Sequence, residues 1–297
     1  MRLVTLVSDG EPHLGAEGPK GVVDFAVIAP QLPATMLALL AEGPRALDDA
    51  RVAAARAFAE GAHVIPPGQV RLLAPLPRPG KILAIGLNYR DHALETGNPI
   101  PEAPIIFSKA VTAVIGPGAA IEVPPVSALI DYEGELAVVI GRPSKRVSRR
   151  DALRYVAGYT IMNDVTARDY QARSGNCVAK SFDTFAPMGP ALVTGDEIPD
   201  PGTLELRTTV SGQEMQRAST ANLIFDVPAL IEYITAGVTL EPGDVISTGT
   251  PAGVGYRRQP QRFLTHGDTV RVEISHIGAL ENPVISTPVL RNHWRSD

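Results

Sequence analysis

The chain has 297 residues, of which 44% are hydrophobic and 20% charged, and its formal net charge is −5. This composition is typical of a globular protein with room for one large domain and a small one. The net negative charge gives no electrostatic reason to expect nucleic acid or an anionic membrane as partner, and no apolar run approaches the length that spans a bilayer.

The N-terminus and the cysteine usage indicate a cytoplasmic protein. Residues 1–10 lack the apolar core and cleavage site of a signal peptide, and predict a first strand instead. Cys177 is the only cysteine, so no internal disulfide can form and a reducing compartment is expected. A catalytic role for Cys177 is a weaker interpretation, because no base is indicated beside it.

Residues 1–75 form a distinct N-terminal region, for which we predict a small α/β domain. Strand patterns cover 3–7 and 22–28, and apolar residues at helical spacing predict helices over 33–42 and 45–60. Residues 73–80 hold three prolines and a glycine, which is typical of a linker.

In residues 76–297 the sequence pattern differs from that of 1–75. Short segments rich in β-branched residues are separated by Pro and Gly, with few predicted helices between them. This pattern predicts a mainly β region with a closed or folded sheet rather than alternating βαβ units. The predicted strands cover 81–85, 105–108, 136–140, 155–163, 204–210, 244–248 and 269–274, and the predicted helices cover 151–154 and 227–234.

The segment DYEGE (131–135) is the centre of the functional interpretation. In an extended strand Asp131, Glu133 and Glu135 share one face, and the apolar run that follows, 136–140, indicates a strand buried on both faces. Buried carboxylates need a compensating cation, for which a hard divalent metal is one solution. The alternative is an acidic, solvated strand start.

A further carboxylate follows the predicted strand 155–163. Asp164 could supply a third ligand beside Glu133 and Glu135, and an all-oxygen set points to magnesium, manganese or calcium rather than zinc. Read alone, Asn163-Asp164 is also an ordinary turn signal.

Two further stretches carry candidate catalytic side chains. The stretch 86–97 predicts a short helix with a Gly stop, on which His92 and Glu95 share a face, so that the carboxylate can orient an imidazole that deprotonates water. A helix-surface ion pair explains the same spacing. Lys180 enters an apolar segment, where it either snorkels or holds the anionic end of a substrate.

The glycine-rich stretch GTPAGVG (249–255) is not a phosphate loop, because no Lys-Ser/Thr pair follows it and the glycine spacing does not match a dinucleotide fingerprint. We interpret it as a turn whose backbone N–H groups, or the Thr250 hydroxyl, could meet a carboxylate.

Taken in order, these motifs resemble the fumarylacetoacetate hydrolase family. The resemblance covers roughly residues 75–287 and rests on IGLNYRDH (85–92), DYEGE (131–135), NDVTARD (163–169), KSFDTF (180–185) and GDVISTGTPAGVG (243–255). It implies a mixed β-sandwich roll, usually dimeric, and the N-terminal region is similar to the small domain that precedes the catalytic part in longer bacterial members.

The resemblance also implies roles for individual residues. Glu133, Glu135 and Asp164 would bind magnesium or manganese, and Lys180 would lie by the substrate oxyanion. His92 with Glu95 would activate water on a mobile lid. The residues implied at the substrate are Arg168, Gln171 and Thr250. The founding eukaryotic hydrolases use a further aspartate in the region that reads Leu87-Asn88-Tyr89 here, so this chain is similar to the three-carboxylate subgroup, whose activities are more varied.

The family's substrates are 2-oxo acids, whose 1-carboxylate and 2-oxo oxygens can chelate the metal. The first expectation is a metal-dependent hydrolase that cleaves a C–C bond of an acylpyruvate-type 2,4-dioxo acid through a metal-stabilised enolate, with water activated by His92 and Glu95. Decarboxylation of oxaloacetate and isomerisation of a 2-hydroxymuconate-type dienol use the same enolate and stay open. A protein that binds a 2-oxo acid without turnover is a further alternative.

Overall fold

The computed structural model describes residues 1–288, so the last part of the predicted 76–297 region, residues 289–297, lies outside the described residues. The fold is mainly β with few helices, as predicted. The helices are α1 (Phe25–Ile28), α2 (Met36–Glu42), α3 (Pro44–Glu60), α4 (Arg90–Thr96), α5 (Arg168–Ala179) and α6 (Val227–Gly237). The strands are β1 (Arg2–Ser8), β2 (Glu11–Gly18), β3 (Gly21–Asp24), β4 (Val64–Ile65), β5 (Arg71–Leu72), β6 (Ile82–Gly86), β7 (Ile105–Lys109), β8 (Val114–Ile115), β9 (Ile121–Val123), β10 (Ile130–Asp131), β11 (Gly134–Ile140), β12 (Val156–Asn163), β13 (Thr166–Ala167), β14 (Ala186–Thr194), β15 (Glu205–Val210), β16 (Gln213–Ser219), β17 (Val245–Ser247), β18 (Thr269–Ile274) and β19 (Gly278–Ser286).

Two mixed sheets pack face to face. The larger follows the order β4-β3-β2-β1-β14-β12-β11-β17-β6-β7, and the smaller follows β16-β15-β18-β19-β9. Strand β1 pairs with β14, so the N-terminal region continues the larger sheet. The boundary predicted between 1–75 and 76–297 stays a prediction, although 73–80 contains no helix or strand, as expected of a linker.

Strand β11 is buried on both faces, as its apolar run predicts. Leu136 and Val138 pack into the core between the two sheets, whereas Ala137 and Val139 pack into the core beneath the N-terminal helices. Alternate side chains of one strand therefore serve two cores. The candidate site lies at the start of this strand, beside Glu133 and Glu135.

Local sequence signals set several helix ends. Asp226 caps α6 by accepting a hydrogen bond from Ala229 N at 2.9 Å, and Gly97 ends α4 in a left-handed conformation. The strand predicted over 22–28 is wrong after Asp24, because Asp24 accepts a hydrogen bond from Ala26 N and starts α1.

The structure also differs from the sequence predictions at elements whose apolar residues show no clear periodicity. Residues 152–155 form a 3₁₀ turn rather than an α-helix over 151–154. Helix α5 was not predicted, because its sequence is polar and Gly175 interrupts it with φ 73°. Within residues 1–288, no helix combines the length and the apolar character needed to cross a membrane.

Candidate active site

Three carboxylates converge at the ends of β11 and β12. Glu133, Glu135 and Asp164 each offer an oxygen within 4.8 Å of the others, and all three residues are buried. Backbone pairing places them: Gly134 lies opposite Asn163 in the sheet, and Asp164 N donates to Glu133 O at 2.8 Å. The convergence predicted from the sequence is present.

Asp131 does not join this cluster, although a continuous strand would place it on the same face. The strand is interrupted at residues 132–133 between β10 and β11. Asp131 instead accepts hydrogen bonds from Arg168 Nε at 2.8 Å and Gly255 N at 2.7 Å. It therefore orients an arginine rather than offering a metal ligand.

Two buried cations hold Glu133 and Asp164. Lys180 Nζ donates to Glu133 Oε2 at 2.8 Å and to Asp164 Oδ2 at 2.7 Å, and its third donor meets Thr166 Oγ1 at 2.8 Å. Arg168 Nη2 donates to Glu133 Oε1 at 2.6 Å. Burial alone would raise the pKa of Glu133, but Lys180 and Arg168 outweigh it and hold that pKa at about 2.

A third cation, Lys109, was not singled out from the sequence. It ends β7, is fully buried, and donates to Asp164 Oδ1 at 2.5 Å and to the Lys180 carbonyl. Burial lowers the pKa of Lys109, while Asp164 opposes that shift. Its signal in sequence is only a lysine at the end of an apolar strand.

Glu135 differs from its two neighbours because no cation pairs with it among residues 1–288. Its Oε2 accepts hydrogen bonds from Ser247 Oγ at 2.6 Å and Gly249 N at 2.9 Å. Burial, together with the nearby Asp164 and Glu133, raises the pKa of Glu135 to about 8. A bound divalent cation would remove this penalty.

The charge balance of the cluster fits such a cation. The four carboxylates Asp131, Glu133, Glu135 and Asp164 face the three cations Lys109, Arg168 and Lys180, which leaves one negative charge if all are ionised. One doubly charged ion would make the cluster positive by one. The site would then attract an anionic ligand, and the all-oxygen donor set suits a hard metal.

The glycine-rich turn after β17 binds three carboxylates through its backbone, as we expected of its N–H groups. Gly249 donates to Glu135, Gly253 donates to Glu95 at 2.9 Å, and Gly255 donates to Asp131. The Cβ of any other residue at Gly253 or Gly255 would lie 2.0 Å from a backbone oxygen. This close approach explains the glycines.

The His92–Glu95 pair is formed on α4. His92 Nδ1 lies 3.1 Å from Glu95 Oε2, and His92 is 6% exposed. The histidine is buried and the glutamate, anchored by Gly253, is only partly exposed, so this is not the solvated surface ion pair that the spacing alone allowed. Asn88 donates to the Phe225 and Thr248 carbonyls and holds the start of this segment.

One cavity of about 190 Å³ brings most of the predicted site residues together. Its lining includes His92, Glu133, Glu135, Arg168, Gln171, Lys180 and Thr250. Glu95 and Asp164 lie behind this lining, in contact with His92 and Lys180.

Two of the predicted substrate residues are held by other side chains. Gln171 accepts from Arg168 Nη1 at 3.1 Å and donates to Asn176 Oδ1 at 2.9 Å. Thr250 donates to Gly134 O at 3.0 Å and accepts from Gln216 Nε2 at 2.7 Å. Gln216, from the smaller sheet, was missed because its partners are far away in sequence.

Comparisons with known proteins agree with this architecture. Residues 81–285 match the family model described as fumarylacetoacetate (FAA) hydrolase C-terminal. The oxaloacetate tautomerase Fahd2a, mitochondrial, of Rattus norvegicus is 45% identical, over 93% of this chain and 88% of its own length.

Two solved structures extend the comparison to the fold. Maleylpyruvate hydrolase from Sphingobium sp. SYK-6, in complex with manganese (II) ion and pyruvate, is 31% identical with a TM-score of 0.81. 5-carboxymethyl-2-hydroxymuconate delta-isomerase from Mycobacterium smegmatis is 38% identical with a TM-score of 0.75. Each alignment covers 97% of this chain and 100% of the other.

These relatives are enzymes named for three different reactions. The mitochondrial name of the first means that the cytoplasmic location expected above stays a prediction. The resemblance seen in the sequence is confirmed: the chain belongs to the fumarylacetoacetate hydrolase family.

Proposed function

We propose that this protein is a divalent-metal-dependent enzyme that moves a proton at C3 of a small 2-oxo acid, and that its reaction is the keto–enol tautomerisation of oxaloacetate. The observation that carries the proposal is the placement of His92 in the same cavity as the buried carboxylates. A proton-transfer group and a site for an oxo-acid chelator are thereby adjacent. The relative named as an oxaloacetate tautomerase supports this choice of substrate.

Glu133, Glu135 and Asp164 would hold the metal, which we take to be magnesium or manganese. When bound there, it supplies Lewis-acid polarisation of the 2-oxo group. Lys180 and Lys109 fix the carboxylates of Asp164 and Glu133 in place through their hydrogen bonds. Arg168, held by Asp131, adds a positive charge to the cavity wall that favours a substrate carboxylate.

His92 would act as the base. In the tautomer whose Nδ1–H donates to Glu95, the imidazole has its lone pair on Nε2. This Nε2 takes part in no hydrogen bond with the described residues. Nε2 removes one C3 hydrogen as a proton. The C3–H electron pair becomes the C2=C3 bond, the C2=O pair moves to oxygen, and the return of the proton from His92 to that oxygen gives the enol and restores the base. The reverse sequence regenerates the ketone without a change of oxidation state.

The test follows the decay of the enol form of oxaloacetate by ultraviolet absorbance. Wild-type protein with magnesium should accelerate the decay above the buffer rate, excess chelator should abolish the acceleration, and His92→Ala should reduce it by on the order of 10²-fold or more. His266→Ala, an exposed histidine outside the cavity, is the matched control. Equal acceleration by His92→Ala and wild type would refute the base assignment.

Hydrolysis of an acylpyruvate, our first expectation from sequence, is the second candidate. The same His92–Glu95 pair could take a proton from water instead of from C3, and one structural relative is named as a hydrolase. Release of pyruvate from acetylpyruvate in the presence of magnesium would support it. Oxaloacetate decarboxylation is recognised by loss of carbon dioxide, and isomerisation of a muconate-type dienol needs only the proton transfer described above.

The predicted homodimer forms part of this proposal. Light scattering should give a particle of twice the 31.5 kDa chain mass, and a 31.5 kDa particle would contradict it.

A further inference from the structure

Strand β7 runs from the floor of the cavity to its mouth. Ile105, Phe107 and Lys109 are two apart and therefore share one face of the strand. Lys109 is buried against Asp164, whereas Ile105 is 43% exposed. At about 3.3 Å per residue, Ile105 lies roughly 13 Å along the strand from Lys109, whose ammonium group contacts Asp164 of the carboxylate cluster.

Phe107 marks the middle of this path. Its ring centroid lies 5.3 Å from Lys180 Nζ, and both residues line the cavity. A ligand chelated at the carboxylate cluster therefore extends past Phe107 toward Ile105. Each position along β7 therefore lies at a different distance from the chelated end of such a ligand.

The positive charge of the cavity lies at its inner end. Lys180 has all three donors on Glu133, Asp164 and Thr166, and Arg168 is bonded to Asp131 and Glu133. In the described part of the chain, the rest of the lining beyond these two cations and His92 carries no basic residue. The uncharged polar side chains of the lining are those of Thr96, Asn98, Gln171, Asn176, Thr250 and Tyr256.

The arginines that follow the glycine-rich turn do not supply the missing charge. Arg257 donates to Thr96 O at 2.6 Å, and Arg258 donates to Met215 O at 3.1 Å. Neither lines the cavity, and the Arg257 guanidinium lies behind the lining, 5.0 Å from the ring centroid of Tyr256. A carboxylate placed beside Phe107 would lose hydration, and the nearest cation, Lys180, already has its three donors on Glu133, Asp164 and Thr166.

The cavity is also small. At about 30 Å³ per water molecule, its volume of about 190 Å³ corresponds to roughly six waters. A ligand of four or five carbons fills the enclosed part, and a longer chain must pass Ile105 into solvent.

We propose that this enzyme selects 2-oxo acids that carry no second carboxylate beyond C4. The inference rests on the proposed function, because it assumes that the 2-oxo acid end is held at Glu133, Glu135 and Asp164. Its substrates are then compact oxo acids whose charge stays near the metal end, which includes oxaloacetate. A five-carbon 2-oxo diacid is excluded because its C5 carboxylate is desolvated in the enclosed part, whereas the second carboxylate of a longer diacid reaches solvent past Ile105 and gains no cation from the lining there.

The test compares two five-carbon ligands that differ only at the far end, 2-oxopentanoate and 2-oxoglutarate. Their binding is measured by calorimetry at equal free manganese, with oxalate as the probe of the chelating end. We expect 2-oxopentanoate to bind at least 10-fold more tightly than 2-oxoglutarate. Ile105→Lys, at a half-exposed position, should reduce this ratio at least 5-fold by supplying a cation, whereas the neutral Ile105→Gln should leave it near the wild-type value.

The outcomes separate this inference from the proposed function. Equal or tighter binding of 2-oxoglutarate to wild type, with oxalate bound, overturns the selection and leaves the chelating site intact. An unchanged ratio in Ile105→Lys also overturns it, because the distal end would then lie elsewhere. Failure of oxalate to bind in the presence of manganese overturns the proposed function and this inference together.

Discussion

Gly253 and Glu95 connect the glycine-rich turn to the proton-transfer pair. Gly253 N donates to Glu95 Oε1 at 2.9 Å, and the other oxygen of the same carboxylate lies 3.1 Å from His92 Nδ1. The backbone of one turn therefore sets the position of a catalytic candidate on a separate helix. Glycine is needed at this position because its φ is 105° and an added Cβ would lie 2.0 Å from Met215 O.

Replacing Gly253 by alanine should lower both stability and activity. Gly253 has φ 105°, and an added Cβ would lie 2.0 Å from Met215 O, so the turn must shift and release Glu95. We expect a loss of about 1–3 kcal/mol in the free energy of unfolding, measured with urea, and a drop in kcat. Gly212→Ala is the control, because Gly212 has φ 81° with open space around it. Equal activity in the two variants would show that the Gly253–Glu95 bond does not matter for turnover.

Glu95→Gln tests the orientation of His92 directly. The amide can still contact Gly253, but it cannot stabilise a protonated imidazole. We expect kcat to fall on the order of 10²- to 10⁴-fold with little change in the affinity for oxalate and manganese. A parallel loss of oxalate affinity would mean that Glu95 supports the metal end rather than the base.

The sequence predicted the parts of the site that depend on local periodicity. The apolar run 136–140 predicted a strand buried on both faces, and the carboxylates at its start and after 155–163 predicted the convergence that is observed. To predict the cluster of Glu133, Glu135 and Asp164, it was enough to identify the start of one strand and the end of the next.

Other features depend on contacts that no short pattern contains. Lys109 meets Asp164, 55 residues away, and Gln216 meets Thr250 from the opposite sheet. Asp131 lies outside the cluster because the strand is interrupted at 132–133. The strict alternation of side chains between the two faces of a strand therefore does not hold there. Helix α5 was missed because its polar sequence lacks an apolar stripe.

Removing one carboxylate should weaken metal binding without unfolding the protein. Glu135→Gln keeps the shape and the hydrogen-bond acceptor for Gly249, but removes the one carboxylate of the three that has no cationic partner among residues 1–288. Calorimetry should show manganese affinity reduced at least about 10-fold, equivalent to about 1.4 kcal/mol. Glu102→Gln, an exposed site, should bind manganese like wild type. Unchanged affinity in Glu135→Gln would place the ion elsewhere.

Asp268 predicts a pH-dependent contribution to stability outside the site. Burial alone would raise its pKa, but hydrogen bonds from Arg262 and Ser211 hold that pKa at about 2, below the ordinary 3.8. Because the pKa of Asp268 is lower in the folded than in the unfolded state, its carboxylate stabilises the fold at any pH above the unfolded-state pKa. This stabilisation is lost as the pH falls toward 2. Asp268→Asn should therefore cost about 1–2 kcal/mol at pH 7, a figure reduced for the partly exposed Arg262, and almost nothing near pH 2.

The comparison is urea unfolding of Asp268→Asn and of Glu214→Gln across this pH range. Glu214 pairs with Arg207 and Arg217 on the exposed surface, where ion pairs contribute little. A difference between Asp268→Asn and wild type that does not shrink on acidification would contradict the ionic origin of the effect.

Lys109→Met should show whether the buried lysine holds Asp164 in place. The substitution keeps the apolar stem and removes the cation that lies 2.5 Å from Asp164 Oδ1, which leaves a buried carboxylate with only Lys180 as its ionic partner in residues 1–288. Breaking one side of a buried pair typically costs about 3–5 kcal/mol. Urea unfolding of the metal-free protein should show a loss in this range, and added manganese should recover part of it.

The double variant Lys109→Met, Asp164→Asn isolates the pair from general damage to the core. If Lys109 acts through the charge of Asp164, removing both charges should be less destabilising than the sum of the single variants, by about 1–3 kcal/mol. Additive losses would mean that Lys109 stabilises the protein through its packing and its bond to the Lys180 carbonyl instead.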